Sequence, residues 1–372
     1  MAFWPLDPKV VFLNHGSFGA CPFPVLEEQN RLRARLEAQP IHFQLVEREA
    51  LERDVRAKLG AFVGADPDDL VFVPNASTAT NAVLRSLRFS AGDELLITSH
   101  GYNACNNAVR FVAERSGARV VVADVPFPLQ SAEQVVRAVL ACVTPRTKLA
   151  VLDHVTSPTG LVFPIGELVS SLKERGVETL VDGAHAPGMV PLDLAALGAA
   201  YYTGNLHKWV CAPKGAAFLH VRRALQPQIR PLVISHGANS PRTDRSRFQL
   251  EFDWQGTVDP TPWLCVSKAL ETMEKLEPGG WPALMKRNRA LALRARDLLT
   301  PTRPAPDDML GTLVAWQLDD GDALPLHDAL FASGIEVPVF PWPAPPRRLI
   351  RISAQHYNEV ADYERLAEAL RR

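Results

Sequence analysis

Apolar residues along this chain switch repeatedly between two spacings. Short runs dense in aliphatic, β-branched or aromatic residues occur at 70–74 (LVFVP), 94–99 (ELLITS), 119–125 (RVVVADV), 148–155 (KLAVLDHV), 178–184 (ETLVDGA), 200–205 (AYYTGN) and 215–221 (GAAFLHV). Their length and flanking turn residues predict buried strands. Between them, apolar positions recur every three or four residues, which predicts helices from about Ser77, over 103–116, 131–142 and 164–175, and a short one near 193–197. Strands joined through helices imply a mostly parallel sheet covered on both faces. Ligands of such sheets sit beyond the carboxyl ends of the strands.

The flanks read differently. KVVFL at 9–13 ends in Asn14-His15-Gly16-Ser17-Phe18-Gly19, a loop in which Gly16 and Gly19 permit a tight backbone. Residues 24–63 read as long helical segments, with Leu51, Val55, Leu59 and Phe62 at helical spacing. After about residue 222 the alternation stops. Residues 235–262 are polar and Arg-rich, 262–299 form a long helical stretch, and Pro301, Pro304 and Pro306 punctuate the segment after it. Strands are expected at 311–318 and 347–353 around a helix at 323–333, the Pro-rich 338–346 as loop, and 357–370 as an amphipathic helix. The expected organisation is α/β: an N-terminal segment 1–23 lining the site, a large domain 24–258, and a smaller α+β C-terminal domain 259–372.

Composition narrows the function classes. The chain has 372 residues, 47% hydrophobic and 22% charged, enough to bury a large core. A net charge of -1 offers no general attraction for nucleic acid or an anionic membrane, so neither is an expected partner. No apolar run reaches the roughly 18 residues of a membrane span, and the first residues lack the basic and apolar regions of a secretory signal. Five scattered cysteines show no CxxC pair and no zinc spacing, so no metal is expected. Reduced thiols and a cytoplasmic location are the simplest expectation.

The chemistry concentrates in 180–208. A strand ends in Asp182, and about twenty residues later a second strand ends in a loop with Asn205, His207 and Lys208. An acid and a lysine then lie at neighbouring strand ends. Alone, such an Asp is commonly a helix cap and such a Lys a surface charge. Together they are what pyridoxal 5'-phosphate (PLP) needs: a lysine to form a Schiff base, and an acid to keep the pyridine nitrogen protonated. Ser77 and Thr78 open a helix directly after a strand, where backbone N–H groups and the helix dipole suit a phosphate. Ser77 is equally placed to be that helix's N-cap.

Asp182-Gly-Ala-His185 and Asn205-Leu-His207-Lys208, followed by Pro213-Lys214-Gly215, resemble class V aminotransferase-type PLP enzymes of fold type I. Within that group, LNHGSFGACP (13–22), FVPNASTATN (72–81), LDHVTSPTG (152–160), IEVPVFPWP (335–343) and RLIRIS (348–353) are similar to the isopenicillin N epimerase-like branch. The resemblance implies roles. Lys208 matches the Schiff-base lysine that also shuttles the α-proton, and Asp182 the carboxylate on the pyridine nitrogen. His185 stands where many relatives carry Gln near the phenolic oxygen. Asn205 and His207 match positions that help bind the phosphate. Tyr102 falls where the family stacks an aromatic or His on the ring, and Thr156 or Ser157 near the phenolic oxygen. Thr257 matches a residue that reaches the phosphate of the neighbouring subunit, which implies a homodimer with shared active sites. Arg351 matches the arginine that grips the substrate α-carboxylate. Asn14 and His15 are candidates for lining the entrance on the substrate side.

The resemblance implies an enzyme acting at the α-carbon of an amino acid. Cysteine desulfurases of the family need a nucleophilic Cys in the C-terminal region; this chain has none after Cys265, which argues against that mechanism. An epimerase is the favoured reading. A C–S β-lyase or an aminotransferase shares the same chemistry up to the fate of one proton. A binding module without turnover is disfavoured by the presence of both Lys208 and Asp182. A nicotinamide oxidoreductase is disfavoured by the lack of GxGxxG after the first core strand.

Overall fold

The computed structural model describes residues 3–300 and 302–371; Met1, Ala2, Pro301 and Arg372 lie outside the described residues. The strands, in chain order, are β1 (Val11–Phe12), β2 (Leu70–Val73), β3 (Glu94–Thr98), β4 (Arg119–Ala123), β5 (Thr147–Asp153), β6 (Glu178–Asp182), β7 (Tyr201–Asn205), β8 (Ala217–Val221), β9 (Leu313–Leu318), β10 (Ile335–Glu336), β11 (Val339–Pro341) and β12 (Arg348–Ser353).

Strands β2 to β8 form one seven-stranded sheet in the order β2-β8-β7-β6-β5-β3-β4. Only β8 is reversed: it pairs antiparallel with both β7 and β2, while β7, β6, β5, β3 and β4 pair in parallel. The apolar runs explain this placement. β2, β3, β6, β7 and β8 are buried almost throughout, as strands covered on both faces must be. β4 is an edge strand and leaves Arg119 and Val122 in solvent. The chain moves outward from β3 to β4 and then returns to the other side of β3 as β5. The order therefore reverses between β3 and β5, and a crevice opens there beyond the strand ends.

Strands β9, β11 and β12 form a separate antiparallel sheet in the order β11-β12-β9. It is backed by the helices Gly280–Leu299 and Val360–Leu370. β1 pairs in parallel with β10, so the N-terminal segment is tied to this small unit before it reaches the large sheet.

Three expectations are corrected. The Pro-rich stretch 338–346 is not all loop: β11 pairs with β12 from Val339↔Ile350 to Pro341↔Arg348. It is an edge strand, where a proline's missing N–H costs no ladder bond. The long helix expected over 262–299 is three helices, Thr261–Leu264, Val266–Glu274 and Gly280–Leu299, broken at Pro278-Gly279-Gly280, where both glycines have positive φ. The first two pack against the helices Phe23–Ala38 and Arg48–Val63 of the large unit. The polar stretch 235–262 holds a short helix, Arg247–Phe252, whose Phe248 and Phe252 are buried against the sheet.

Candidate active site

The parallel strands deliver their carboxyl ends to one edge of the sheet. There Asn75 and Ser77 follow β2, Tyr102 follows β3, Asp153 and Ser157 end and follow β5, Asp182 and His185 β6, and Asn205, His207 and Lys208 β7. All of them line one cavity of about 440 Å³, bounded further by Ser17 and Phe18 and by Lys214 and Gly215. Among the described residues no cluster of three His, Cys, Asp or Glu side chains could hold a metal ion.

Lys208 Nζ lies 3.1 Å from Nε2 of His185. Burial lowers the Lys208 ammonium from its ordinary 10.5 to about 7, the nearby Arg351 charge lowers it too, and Asp182 opposes them. A substantial share of free amine, the form that attacks a carbonyl, is thus present at neutral pH. Burial first, and then the Lys208 charge, hold His185 well below the usual imidazole range, so it is neutral and accepts from the ammonium. Its Nδ1 is buried without a partner. Such an orphan is costly unless a ligand satisfies it.

Asp182 is buried, and both its oxygens have donors. Ala184 N–H donates to Oδ1 at 3.0 Å, and the Cys105 thiol to Oδ2 at 3.0 Å. Beside it, Asp153 stands directly opposite in the β5–β6 register. Asp153 accepts the backbone N–H of Tyr102 at 3.3 Å. Tyr102 itself is 42% exposed at the cavity wall. Thr156 is fully buried and turned to Thr159 and Leu161, so of the two neighbours it is Ser157 that faces the cavity.

The helix after β2 spans Ala76–Ser86, and its N-cap is Asn75, whose Oδ1 accepts Thr78 N–H at 2.8 Å. Capping by Ser77 is corrected: Ser77 lies within the first turn. Asn205 Oδ1 takes the N–H of Ala76 at 2.9 Å, and Ala79 N–H bonds Asn75 O. Ser77 N–H is left without a protein partner among the described residues, facing the cavity at the positive end of the helix. Thr78 does not line the cavity; its hydroxyl donates back to Asn75. His207 donates Nδ1–H to Ala216 O at 2.9 Å, and burial lowers it to about 4. Its Nε2 is then an acceptor, so an anion held there requires His207 to take up a proton.

Arg351, on β12, is buried and reaches across from the small unit. One guanidinium nitrogen donates to the carbonyl and, at 3.2 Å, the hydroxyl of Ser157; the other lies 3.3 Å from Ser17 Oγ. It lines an adjoining cavity of about 470 Å³ that shares Ser17, Tyr102 and Ser157 with the first and continues past Trp342 and Phe340 towards Arg110. Burial lowers the Arg351 guanidinium to about 10, still charged at neutral pH.

Asn14 and His15 do not line the entrance, a second correction. Asn14 Oδ1 accepts the Ser17 hydroxyl at 2.6 Å. His15 is wholly buried behind Lys208. Ala20 N–H donates to its Nδ1, which leaves Nε2–H to donate to the Lys208 carbonyl at 3.1 Å. Burial holds it at about 3, neutral. The loop turns its next residues, Ser17 and Phe18, to the cavity instead. Thr257 is exposed and outside this chain's own cavity.

Sequence reasoning missed Asp153, Cys105, Ser17, Phe18 and Lys214. Lys214 Nζ donates to Gly19 O at 2.6 Å and was legible as the lysine of Pro213-Lys214-Gly215. Asp153 lies inside LDHVTSPTG, and Cys105 three residues beyond Tyr102.

A family model described as aminotransferase class-V matches residues 26–366. The isopenicillin N epimerase of Amycolatopsis lactamdurans is 37% identical over 386 residues, covering 98% of this chain and 96% of the relative. A probable chloroplastic L-cysteine desulfhydrase of Arabidopsis thaliana is 31% identical, covering 98% and 83%. Among solved structures, the cysteine desulfurase CsdA of Escherichia coli superposes with a TM-score of 0.82 at 20% identity, covering 100% of this chain and 96% of that one. The cystine C–S lyase C-DES superposes with a TM-score of 0.82 at 22% identity, covering 98% and 97%.

Proposed function

The chain belongs to the class V aminotransferases, PLP-dependent enzymes, and from that premise we propose that it moves the α-proton of an amino-acid substrate as an epimerase does. The observation that carries this reading is the meeting of Lys208, Asp182 and His185 on one cavity, with Arg351 at its border. The residues present fit PLP. Asp182 supplies a buried acid, Ser77 N–H an unclaimed donor at a helix start, and His185 Nδ1 an unclaimed buried group.

PLP, when bound, withdraws electrons from the substrate α-carbon and so acidifies its proton. The chain's own residues do the rest. Lys208 would hold the cofactor and would take and return a proton at the substrate α-carbon. Asp182 would face the ring nitrogen. Ser77 N–H and Asn205 would secure the phosphate, joined by His207 once it takes up a proton, and Tyr102 would stack on the ring. Ser157 and His185 address the phenolic oxygen. Arg351 orients the substrate through its α-carboxylate, a task for which a planar guanidinium is suited.

A homodimer accompanies this reading. Thr257 stands outside its own cavity, free to reach a partner's phosphate. Exposed Ile41, Leu45 and Val46 lie beside the same loop, where Gln44 donates to Val258 O. We further propose the division into a segment 1–23, a large domain 24–258 and a small domain 259–372. A cytoplasmic location is proposed as well; among the described residues no helix is long and apolar enough to cross a membrane.

Cysteine elimination, the reaction named for several relatives, is the second reading. The adjoining 470 Å³ cavity favours the first, because cysteine would leave that space unfilled whereas a longer amino acid extends into it. An amino-acid panel in deuterium oxide tests both. Deuterium entering the α-position with inversion and no net loss of substrate supports epimerisation. Pyruvate and sulfide from cysteine, without α-exchange of longer substrates, overturns it.

A further inference from the structure

Two carboxylates meet at the floor of the cavity, and the proposed chemistry uses only one. Asp153 and Asp182 end adjacent parallel strands, paired in register, so their side chains leave the same face of the sheet as nearest neighbours. Both are buried, at 5% and 3% exposure, and neither has an ion-pair partner among the described residues. Burial beside a second carboxyl disfavours the charged form of Asp153.

The hydrogen bonds to the two carboxyls differ. Asp182 receives two donors, Ala184 N–H and the Cys105 thiol, both at 3.0 Å. Asp153 receives one longer bond, from Tyr102 N–H at 3.3 Å. We propose that Asp153 is a neutral carboxylic acid that anchors the backbone of Tyr102 beside Asp182 at the floor of the site. It is a positioning residue: it acts through Tyr102 and Asp182, and the inference rests on the reading above only for what those two residues do.

The groups around Asp153 agree. From β6, Asp182 repels its charge; from the helix Asn103–Ser116, the Cys105 thiol is pushed far up by burial and stays neutral. From the loop after β7 only Lys208 opposes, and that ammonium is itself weakened by burial. His154, next along β5, bonds the Tyr202 hydroxyl at 2.9 Å and is neutral. Burial and the Asp182 charge together raise Asp153 well above the ordinary carboxylate range.

The test uses the protein with PLP removed, so it does not depend on which reaction is catalysed. With carboxyl-labelled aspartate, carbon NMR at neutral pH is expected to show one protonated Asp carboxyl, lost in Asp153→Asn. That variant keeps the acceptor and the neutral charge, and is expected to leave the Lys208 pKa within ~0.3 units of wild type, whereas loss of a neighbouring anion would lower it by about one unit or more. Asp153→Ala, lacking the acceptor, is expected to weaken PLP binding roughly fivefold, and Asp153→Asn to restore it. No protonated Asp carboxyl in the wild type, or a lowered Lys208 pKa in Asp153→Asn, overturns the proposal. If the variants fail to fold, the wild-type spectrum alone decides. Absence of α-exchange activity would sink the functional reading and leave this result untouched.

Discussion

Gly19 runs so close to His207 that a Cβ at position 19 would stand 2.3 Å from the His207 carbonyl oxygen. Its φ of 70° is one that side-chain-bearing residues rarely adopt. Both constraints press on the loop that holds Lys208. Gly19→Ala is expected to destabilise the protein by roughly 1–3 kcal/mol and to weaken PLP retention. A denaturant melt of the PLP-free protein beside a PLP titration checks this; wild-type values in both would show that the loop yields freely.

Lys208→Ala is expected to abolish the visible band of the bound cofactor and turnover together. Spectra before and after PLP addition check it. Retained turnover would instead transfer the role to Lys214, the second lysine on the cavity.

The lowered pKa of Lys208 sets a pH dependence. Only the free amine attacks PLP, and with the ammonium lowered from 10.5 to about 7 that form accumulates as pH rises through about 7. The rate at which PLP-free protein captures PLP should climb below pH 7 and level off above it. A rate still climbing near pH 10 would mean an ordinary lysine.

Arg351→Ala is expected to raise KM for amino-acid substrates by roughly tenfold to a hundredfold, about 1.5–3 kcal/mol, with PLP still bound. Arg351→Lys should recover only part of this, because an ammonium cannot reproduce the planar fork. Equal losses with substrates lacking an α-carboxylate would point to a disturbed Ser17–Ser157 contact instead.

Thr257 provides the dimer test. Mixing Lys208→Ala protomers with Thr257→Ala protomers should form hybrids with one site that contains both Lys208 and Thr257. Cofactor titration should then show PLP affinity near wild type in half the sites of the hybrid. Thr257→Ala protein that binds PLP like wild type would remove the residue from the phosphate site.

Much of the fold and the site was legible in the sequence because it depends on strand ends. Alternating runs specify the sheet, and the sheet supplies the common edge on which Asp182, Asn205 and Lys208 stand. Tertiary context decided the rest. Asn75 and Ser77 are both good caps, and only the backbone shows that Asn75 takes Thr78 N–H. The orientation of His15 depends on Ala20, whose N–H its Nδ1 accepts, and on Tyr357, whose hydroxyl lies 2.9 Å from the same nitrogen, a contact 342 residues apart in the chain. Asp153 was invisible for a further reason. An aspartate at the end of a strand has many ordinary uses, and its special one appears only once β5 and β6 are known to pair in register.

The N-terminal segment that pairs with β10 is also tied to β12. The Ser353 N–H donates to Leu13 O, and Ser353 Oγ accepts the N–H of His15, whose ring holds the Lys208 carbonyl. Ser353 is two residues from Arg351 on β12. Arg351 and the peptide unit of Lys208 are thereby joined by a short covalent and hydrogen-bonded tether. Under the function proposed above, a substrate carboxylate drawn to Arg351 would pull on the backbone that carries Lys208.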